Sequence, residues 1–515
     1  MTSATCVMIH KWVKDEPGTI DLTYDPRLEK LTQGDGMRQL YRKAIQRMSN
    51  PRHRPLVAAI FGAIFITTLV SADSHLNNLR PFDDPTGRVR TFSTSGEAQV
   101  NNAFFQSLGT NGRSCATCHE ASDAWTVTPE HIRARFNASN GTDPIFRAVD
   151  GANCPSADVT TLSARRKSYS MLLNKGLIRV SIGVPANAEF AVTGIDDPHN
   201  CAETTPAGLA LFRRPLPATN LPFLTTVMWD GRESFKGQTL NFNLSDQAVG
   251  ATLGHAQASH APTSQQVAEI VSFELSNFTA QIDDDRAGEL HADGAQGGPN
   301  ALAVQPFSVG INDPLGGTPP GVNFNPVAMT VFSKWSSSKD DGRNSTPRAA
   351  VARGEALFNT FPIPISGVSG LNDLPGVPAS FVGSCTTCHN TPNVGNHSVP
   401  LAINIGIAEY PPVAALDITG LPVYTIHCVA GAQTPLNHDS TIQTTDPARA
   451  LISGKCADIG KTKGPILRGL AARAPYFHNG SAATLRDVIN FYEQRFQLSF
   501  TEEQKSDLEA FLRSL

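Results

Sequence analysis

Hydrophobic residues recur at three- and four-residue spacing in a few stretches of this chain and alternate singly with polar ones almost nowhere. The clearest stretch, TSQQVAEIVSFELSNFTAQI at 263–282, predicts an amphipathic helix. Two more close the chain. ATLRDVINFYEQR predicts a helix over 483–495, and TEEQKSDLEAFLRSL one over 501–515, opened by a capping box from Thr501 to Gln504 with Glu502 and Glu503 in its first turn. Helix-like segments GEAQVNNAFFQSL (96–108) and VARGEALFNTF (351–361) each run into a loop, and the two loops, GRSCATCHE and FVGSCTTCHN, nearly match. The chain reads as duplicated. Residues 283–345 are dense in Gly, Pro, Asp, Asn and Ser and are predicted to be a long connection with little regular structure. The expectation is a mainly α protein with long loops, one domain at 80–282 and another at 346–515.

At 515 residues the chain is long enough for two sizeable cores. Its formal charge of -4 and the lack of a long basic block beyond residue 55 argue against a nucleic-acid partner. Before that point Arg42, Lys43, Arg47, Arg52 and Arg54 precede the apolar run Leu56 to Val70, which closes on Val70-Ser71-Ala72. This is the layout of a secretory signal, shorter than the roughly 20 apolar residues of a membrane span. Residues 1–72 are therefore expected to be a presequence cleaved after Ala72, with Met37 as an alternative start, and no stable membrane span is expected. Outside this presequence and the two Cys-x-x-Cys-His motifs, Cys154, Cys201, Cys428 and Cys456 remain. An even number suits an oxidising compartment, and the pairs Cys154–Cys201 and Cys428–Cys456 keep each bridge within one domain. Four buried thiols are the alternative.

In Cys-x-x-Cys-His the two thiols can form thioethers to haem vinyl groups while the adjacent imidazole reaches the iron, so the spacing serves covalent haem attachment. A zinc site would gather four ligands from both pairs, and a redox dithiol would not need the His. Two haems c are expected, on Cys115, Cys118 and His119 and on Cys385, Cys388 and His389. With His119 and His389 as proximal ligands, the opposite faces decide function, since a second protein ligand favours electron transfer and an open face favours reaction with peroxide or oxygen.

KGPILRGLAARAPYFHNGSAATLRDVINFY, residues 463–492, and MWDGRE, Met228 to Glu233, resemble two signatures of the bacterial dihaem cytochrome c peroxidase and MauG superfamily. With both haem motifs in order, the resemblance covers most of 95–515 and implies two cytochrome-c-like haem domains, the first peroxide-binding and the second electron-transferring. The family's peroxidases carry a Met ligand fourteen residues after the His of the PYFHNG-like motif, whereas His478 is followed at that interval by Tyr492. A Tyr there resembles the MauG branch, where an anionic phenolate favours high oxidation states. His478 is its main rival as ligand, His397 a more distant one, and a packing role beside Phe491 the alternative.

Trp229 resembles the Trp that carries electrons between the family's two haems, or is a buried structural Trp. Asp230, Gly231 and Arg232 are expected to hold its turn. Gln247 matches a distal Gln, but the family's acid-base Glu ten residues later falls on Gln257, which cannot shuttle a proton. His255 is the natural substitute, with haem ligation and a structural role as alternatives. His131 lies where some family peroxidases carry a displaceable His, though its surroundings match poorly. Arg213 and Arg214 are candidates for propionate contacts or for a solvated pair.

The resemblance implies an exported, periplasmic oxidoreductase that reacts with hydrogen peroxide or oxygen and draws electrons from a small cytochrome or a protein substrate. Calcium between the domains is a family feature and a further expectation. The other readings are a non-catalytic dihaem electron-transfer cytochrome and a dihaem oxygenase acting on an organic substrate.

Overall fold

The computed structural model describes residues 75–76, 80–316, 323–336 and 345–515; the expected presequence, with its signal, lies outside them. His75–Leu515 form one compact unit. The structure is 31% helix and 16% strand, with ten helices and several small sheets, so the mainly α expectation is corrected to a mixed one.

The strands escaped the sequence pattern because they bury polar side chains. Strands β1 (Pro81–Asp84) and β2 (Gly87–Ser93) form an antiparallel hairpin, and on β2 the inward positions are Val89, Thr91 and Ser93 beside Gly87. After helix α1 (Pro129–Ser139) come β3 (Ile178–Ile182), β4 (Phe190–Asp196) and β5 (Leu209–Arg213). Helices α2 (Leu240–Gly254) and α3 (Ser264–Ser276) follow. The helix predicted to reach Ile282 stops at Ser276, and Asn277–Asp284 become strand β6, paired with β2. Thr279 meets Thr91 through their hydroxyls at 2.9 Å, and Gln281 donates to Asp84 at 2.6 Å, so polar side chains hold the sheet interior. The stretch 96–108 is a two-residue strand and a short 3₁₀ turn rather than a helix.

Helix α4 (Ser345–Thr360) does precede the second Cys-x-x-Cys-His motif, with the hairpin β7 (Ile363–Ser366) and β8 (Ser380–Gly383) between them. Strands β9 (Val423–Cys428) and β10 (Thr441–Thr444) and helices α5 (Leu485–Phe496) and α6 (Glu502–Arg513) complete the labelled elements. The Thr501–Gln504 capping box forms at α6 as its sequence suggested. Within the connection, the described residues include the last two residues of β6, Asp283 and Asp284, a short helix at Pro299–Ala303 and a 3₁₀ turn at Ser333–Ser336.

One three-stranded sheet, ordered β10-β9-β4, joins distant parts of the chain: Val423 pairs with Asp196 and Cys428 with Phe190. Its core packs Leu209 and Leu211 against Tyr424 and Ile426. Disulfides Cys154–Cys201 and Cys428–Cys456 lie in these regions.

Candidate functional site

The two Cys-x-x-Cys-His segments fold into the same 3₁₀ turn. In each, a Ser backbone N–H donates to a Thr hydroxyl three residues on, Ser114 to Thr117 and Ser384 to Thr387, both at 3.0 Å. In each, the His backbone N–H returns to the first Cys carbonyl, at 3.1 Å for His119 and 2.9 Å for His389. The imidazoles are fixed alike. His119 Nδ1 lies 3.0 Å from the Trp125 carbonyl and His389 Nδ1 2.7 Å from that of Gly395. A carbonyl can only accept, so Nδ1 carries the proton and Nε2 keeps its lone pair for the cavity, as metal-ligating imidazoles require.

Both motifs line one mostly apolar cavity. Burial pushes the Cys115 thiol up to about 12, Cys118 to about 11, and Cys385 and Cys388 each to about 12, and none of the four is in a disulfide. Thiols in such surroundings are poor thiolate ligands or redox centres and suit thioether links better. The same cavity holds cations with no carboxylate bonded to them. Arg214 and Arg473, both held down to about 10 by burial, and Lys463, held down to about 7, bond backbone carbonyls instead. Buried cations in this state call for anions brought by a ligand. Thiols, imidazoles, apolar walls and spare cations together fit covalently bound haem with its propionates.

Beside the second motif, Tyr492 on α5 places its hydroxyl 3.5 Å from His389 Nε2, and burial pushes the phenol's pKa up. His389 and Tyr492 are the two side chains here that could hold a metal between them. His478 is different. Neither of its ring nitrogens has a hydrogen-bond partner, burial holds its pKa down to about 4, and its Nε2 lies 3.6 Å from Asp446 with Trp229 6.1 Å away ring to ring. His397 is also buried in the cavity wall, with its pKa down to about 3 from burial and His389.

Beside the first motif, α2 brings Gln247 and His255 to the cavity. His255 Nδ1 meets Asp150 at 2.5 Å, and Asp150 is in turn ion-paired with Arg113; both Asp150 and Arg113 also line the cavity. Gln257 stands apart from it, exposed at the end of α2, where it accepts from Asn111 at 3.3 Å. His131 turns away to Asp123 at 2.5 Å. Trp229 lines the cavity, with its indole N–H donating to the Arg214 carbonyl at 2.8 Å. The turn carrying it is held by Asp230, which accepts from the Arg232 backbone at 3.1 Å, and by Gly231 at φ 74°, where a Cβ would crowd Arg449 at 2.9 Å. Arg213 is not a solvated residue. It is buried between Asp230 and Asp446.

Sequence reasoning missed Asp150, Arg113 and Glu274. Asp150 and Arg113 are 105 and 142 residues from His255, a partnership that no local motif could signal. Glu274 lies on the buried face of α3, where its spacing marks it only as one more inward position.

Residues 463–499 match a family model described as RoxA-like, cytochrome c-like, a stretch that includes Lys463, His478 and Tyr492. A cytochrome-c peroxidase of Denitromonas iodatirespirans, IdrP2, is 31% identical over 140 residues, 26% of this chain and 36% of that protein. A second from the same organism, IdrP1, is 28% identical over 201 residues, 36% of this chain and 44% of the relative. The chain thus spans well under two thirds of the relatives it matches. Over these stretches the chain is similar to cytochrome-c peroxidases and to a RoxA-like cytochrome c domain. A solved MauG-like protein associated with microbial copper homeostasis aligns over 80% of this chain and 86% of its own, at 16% identity and a TM-score of 0.33. The cytochrome c-like match and the peroxidase relatives imply covalently bound haem c. No helix among the described residues is long and apolar enough to cross a membrane.

Proposed function

We propose that this protein is an exported dihaem oxidoreductase that reacts with hydrogen peroxide at the His119 site and passes oxidising equivalents by way of Trp229 to the site of His389 and Tyr492. The observation that carries this reading is the shared cavity, in which Tyr492 stands 3.5 Å from His389 Nε2 while His119 is accompanied by His255. Bound haem would supply the reversible one-electron chemistry and the metal face on which peroxide reacts.

The residues divide the remaining work. Cys115 and Cys118, and Cys385 and Cys388, fix each group in place, and the Trp125 and Gly395 carbonyls hold the two imidazoles in the ligating tautomer. Tyr492 would hold the metal from the side opposite His389, and bound there as a phenolate it would favour high oxidation states. His255 is the group able to take a proton from peroxide and return it, a role that an amide such as Gln247 supports only by hydrogen bonding. Arg214, Arg473 and Lys463 would hold the carboxylates of bound haem. Trp229, fixed through its indole N–H, offers an aromatic ring as relay, and electrons come from a small cytochrome or a protein substrate. The signal-like presequence and the two disulfides support a periplasmic location.

The test adds one equivalent of hydrogen peroxide to the fully oxidised, haem-loaded protein and follows its optical and near-infrared spectrum. A prompt change is expected. A response that appears only after one haem is reduced would make it a reductively activated peroxidase, and no response in either state would leave an electron-transfer cytochrome.

A further inference from the structure

Taking His255 as the group that handles peroxide's proton, we infer that Asp150, braced by Arg113, is the positioning residue that fixes the tautomer and orientation of His255 at the first haem site. The inference rests on the functional reading above and extends it to residues outside the superfamily's motifs.

Asp150 is 4% exposed, yet both carboxylate oxygens are used: Oδ1 takes the Arg113 ion pair and Oδ2 lies 2.5 Å from His255 Nδ1. Arg113 is itself immobilised by the carbonyls of Pro144 at 2.8 Å and Ile145 at 2.6 Å. The His255 backbone is tied to the same corner, its carbonyl accepting from Asn111 at 2.8 Å and from Arg113 at 3.3 Å. Burial alone would push the Asp150 pKa up, but the bonds from His255 and the charge of Arg113 bring it below the ordinary carboxylate value. Asp150 is therefore ionised and can only accept.

An obligate acceptor at Nδ1 requires the proton to sit on Nδ1. Neutral His255 then keeps its lone pair on Nε2, the nitrogen left for the cavity. Without that constraint a side chain 43% exposed would sample both tautomers and several orientations, and only a fraction could accept a proton from peroxide. A carboxylate held against Nδ1 also stabilises the imidazolium that forms when Nε2 takes that proton. The charged or titratable groups that line the cavity include Arg113, Cys115, Cys118, His119 on the haem turn, Asp150 and Glu274 on α3. Among these, Asp150 alone is hydrogen-bonded to the His255 ring.

The experiment uses the haem-loaded, reduced protein with ¹⁵N-labelled histidine, and H255Q to assign the ring by its missing signal. The wild type is expected to show His255 protonated at Nδ1. In Asp150→Asn, which keeps the shape and removes the charge, a mixed tautomer is expected. The neutral-pH rate of the peroxide reaction should fall with it, about ten- to a hundredfold. Asp150→Glu should restore part of both. A wild-type ring protonated at Nε2 overturns the inference, as does a D150N protein whose tautomer and peroxide rate match the wild type. Should D150N fail to fold, the wild-type tautomer still decides. If the wild type ignores peroxide the functional reading falls, whereas the NMR result still rules on Asp150.

Discussion

Glu274 ends its helix at the cavity wall with Oε2 lacking any hydrogen-bond partner, and burial pushes its pKa up to about 8. The native protein holds this proton until about pH 8, whereas the unfolded chain releases it from about pH 4.5. Because the folded-state value is raised, stability tied to this group is fully present below the unfolded value and drains away as pH rises through the window between the two. Glu274→Gln should flatten that loss, with a gain over wild type of about 2 kcal/mol or more by pH 8, read from thermal midpoints across the pH range. An equal pH slope in both proteins would mean that Glu274 is ionised or solvated. Tyr492 makes the complementary case: Tyr492→Phe keeps the ring packing near Phe496 but removes the only side-chain oxygen near His389 Nε2 among the described residues. On the proposed two-haem reading, the low-spin spectrum of the His389 site should change, and its potential should rise by a measurable part of the roughly 0.8 V that haem ligands command. An unchanged spectrum would remove Tyr492 as ligand.

Elements built on local signals were legible in the sequence, and elements built on distant partners were not. The two terminal helices could be read because amphipathic spacing and a capping box are written within a dozen residues. The haem-attachment turns could be read because Cys-x-x-Cys-His packs its chemistry into five positions. Strand β6 could not, since Asn277, Thr279 and Gln281 look like a polar helix face until their partners, such as Asp84 and Asn220, arrive from elsewhere in the chain. The same limit hid Asp150 behind His255. Packing between α4 and α6 is a further feature that only the structure shows: Gly354 in mid-helix lets α6 approach so closely that a Cβ would sit 2.0 Å from the Asp507 carbonyl. Gly354→Ala ordinarily favours a helix. Here it should instead destabilise by about 1–3 kcal/mol, seen as a lowered thermal midpoint, because backbone cannot move aside as a side-chain tip can. A raised midpoint would show that the two helices are not in such contact.

At the scale of the whole molecule, the question is whether the stretches 80–282 and 346–515, each carrying one haem motif, unfold separately. Three features tie them together. Strand β4 pairs with β9, the core around Leu211 and Tyr424 draws on both stretches, and Arg213 binds Asp446 through Nε at 2.7 Å and Nη2 at 2.9 Å while also meeting Asp230 at 2.5 Å. All three of these charged groups are buried, with Arg213 itself 3% exposed. Removing the cation leaves Asp446 with the Ala448 N–H at 2.7 Å and His478 at 3.6 Å, and Asp230 with Arg232 at 3.0 Å. Breaking a buried ion pair on one side costs about 3–5 kcal/mol, because the remaining charge stays desolvated. Arg213→Met should therefore lower stability by about 3 kcal/mol, and calorimetry should show a single transition that shifts as a whole. If instead one transition shifts while a second stays in place, one haem-bearing stretch folds on its own and the shared sheet contributes little to its stability.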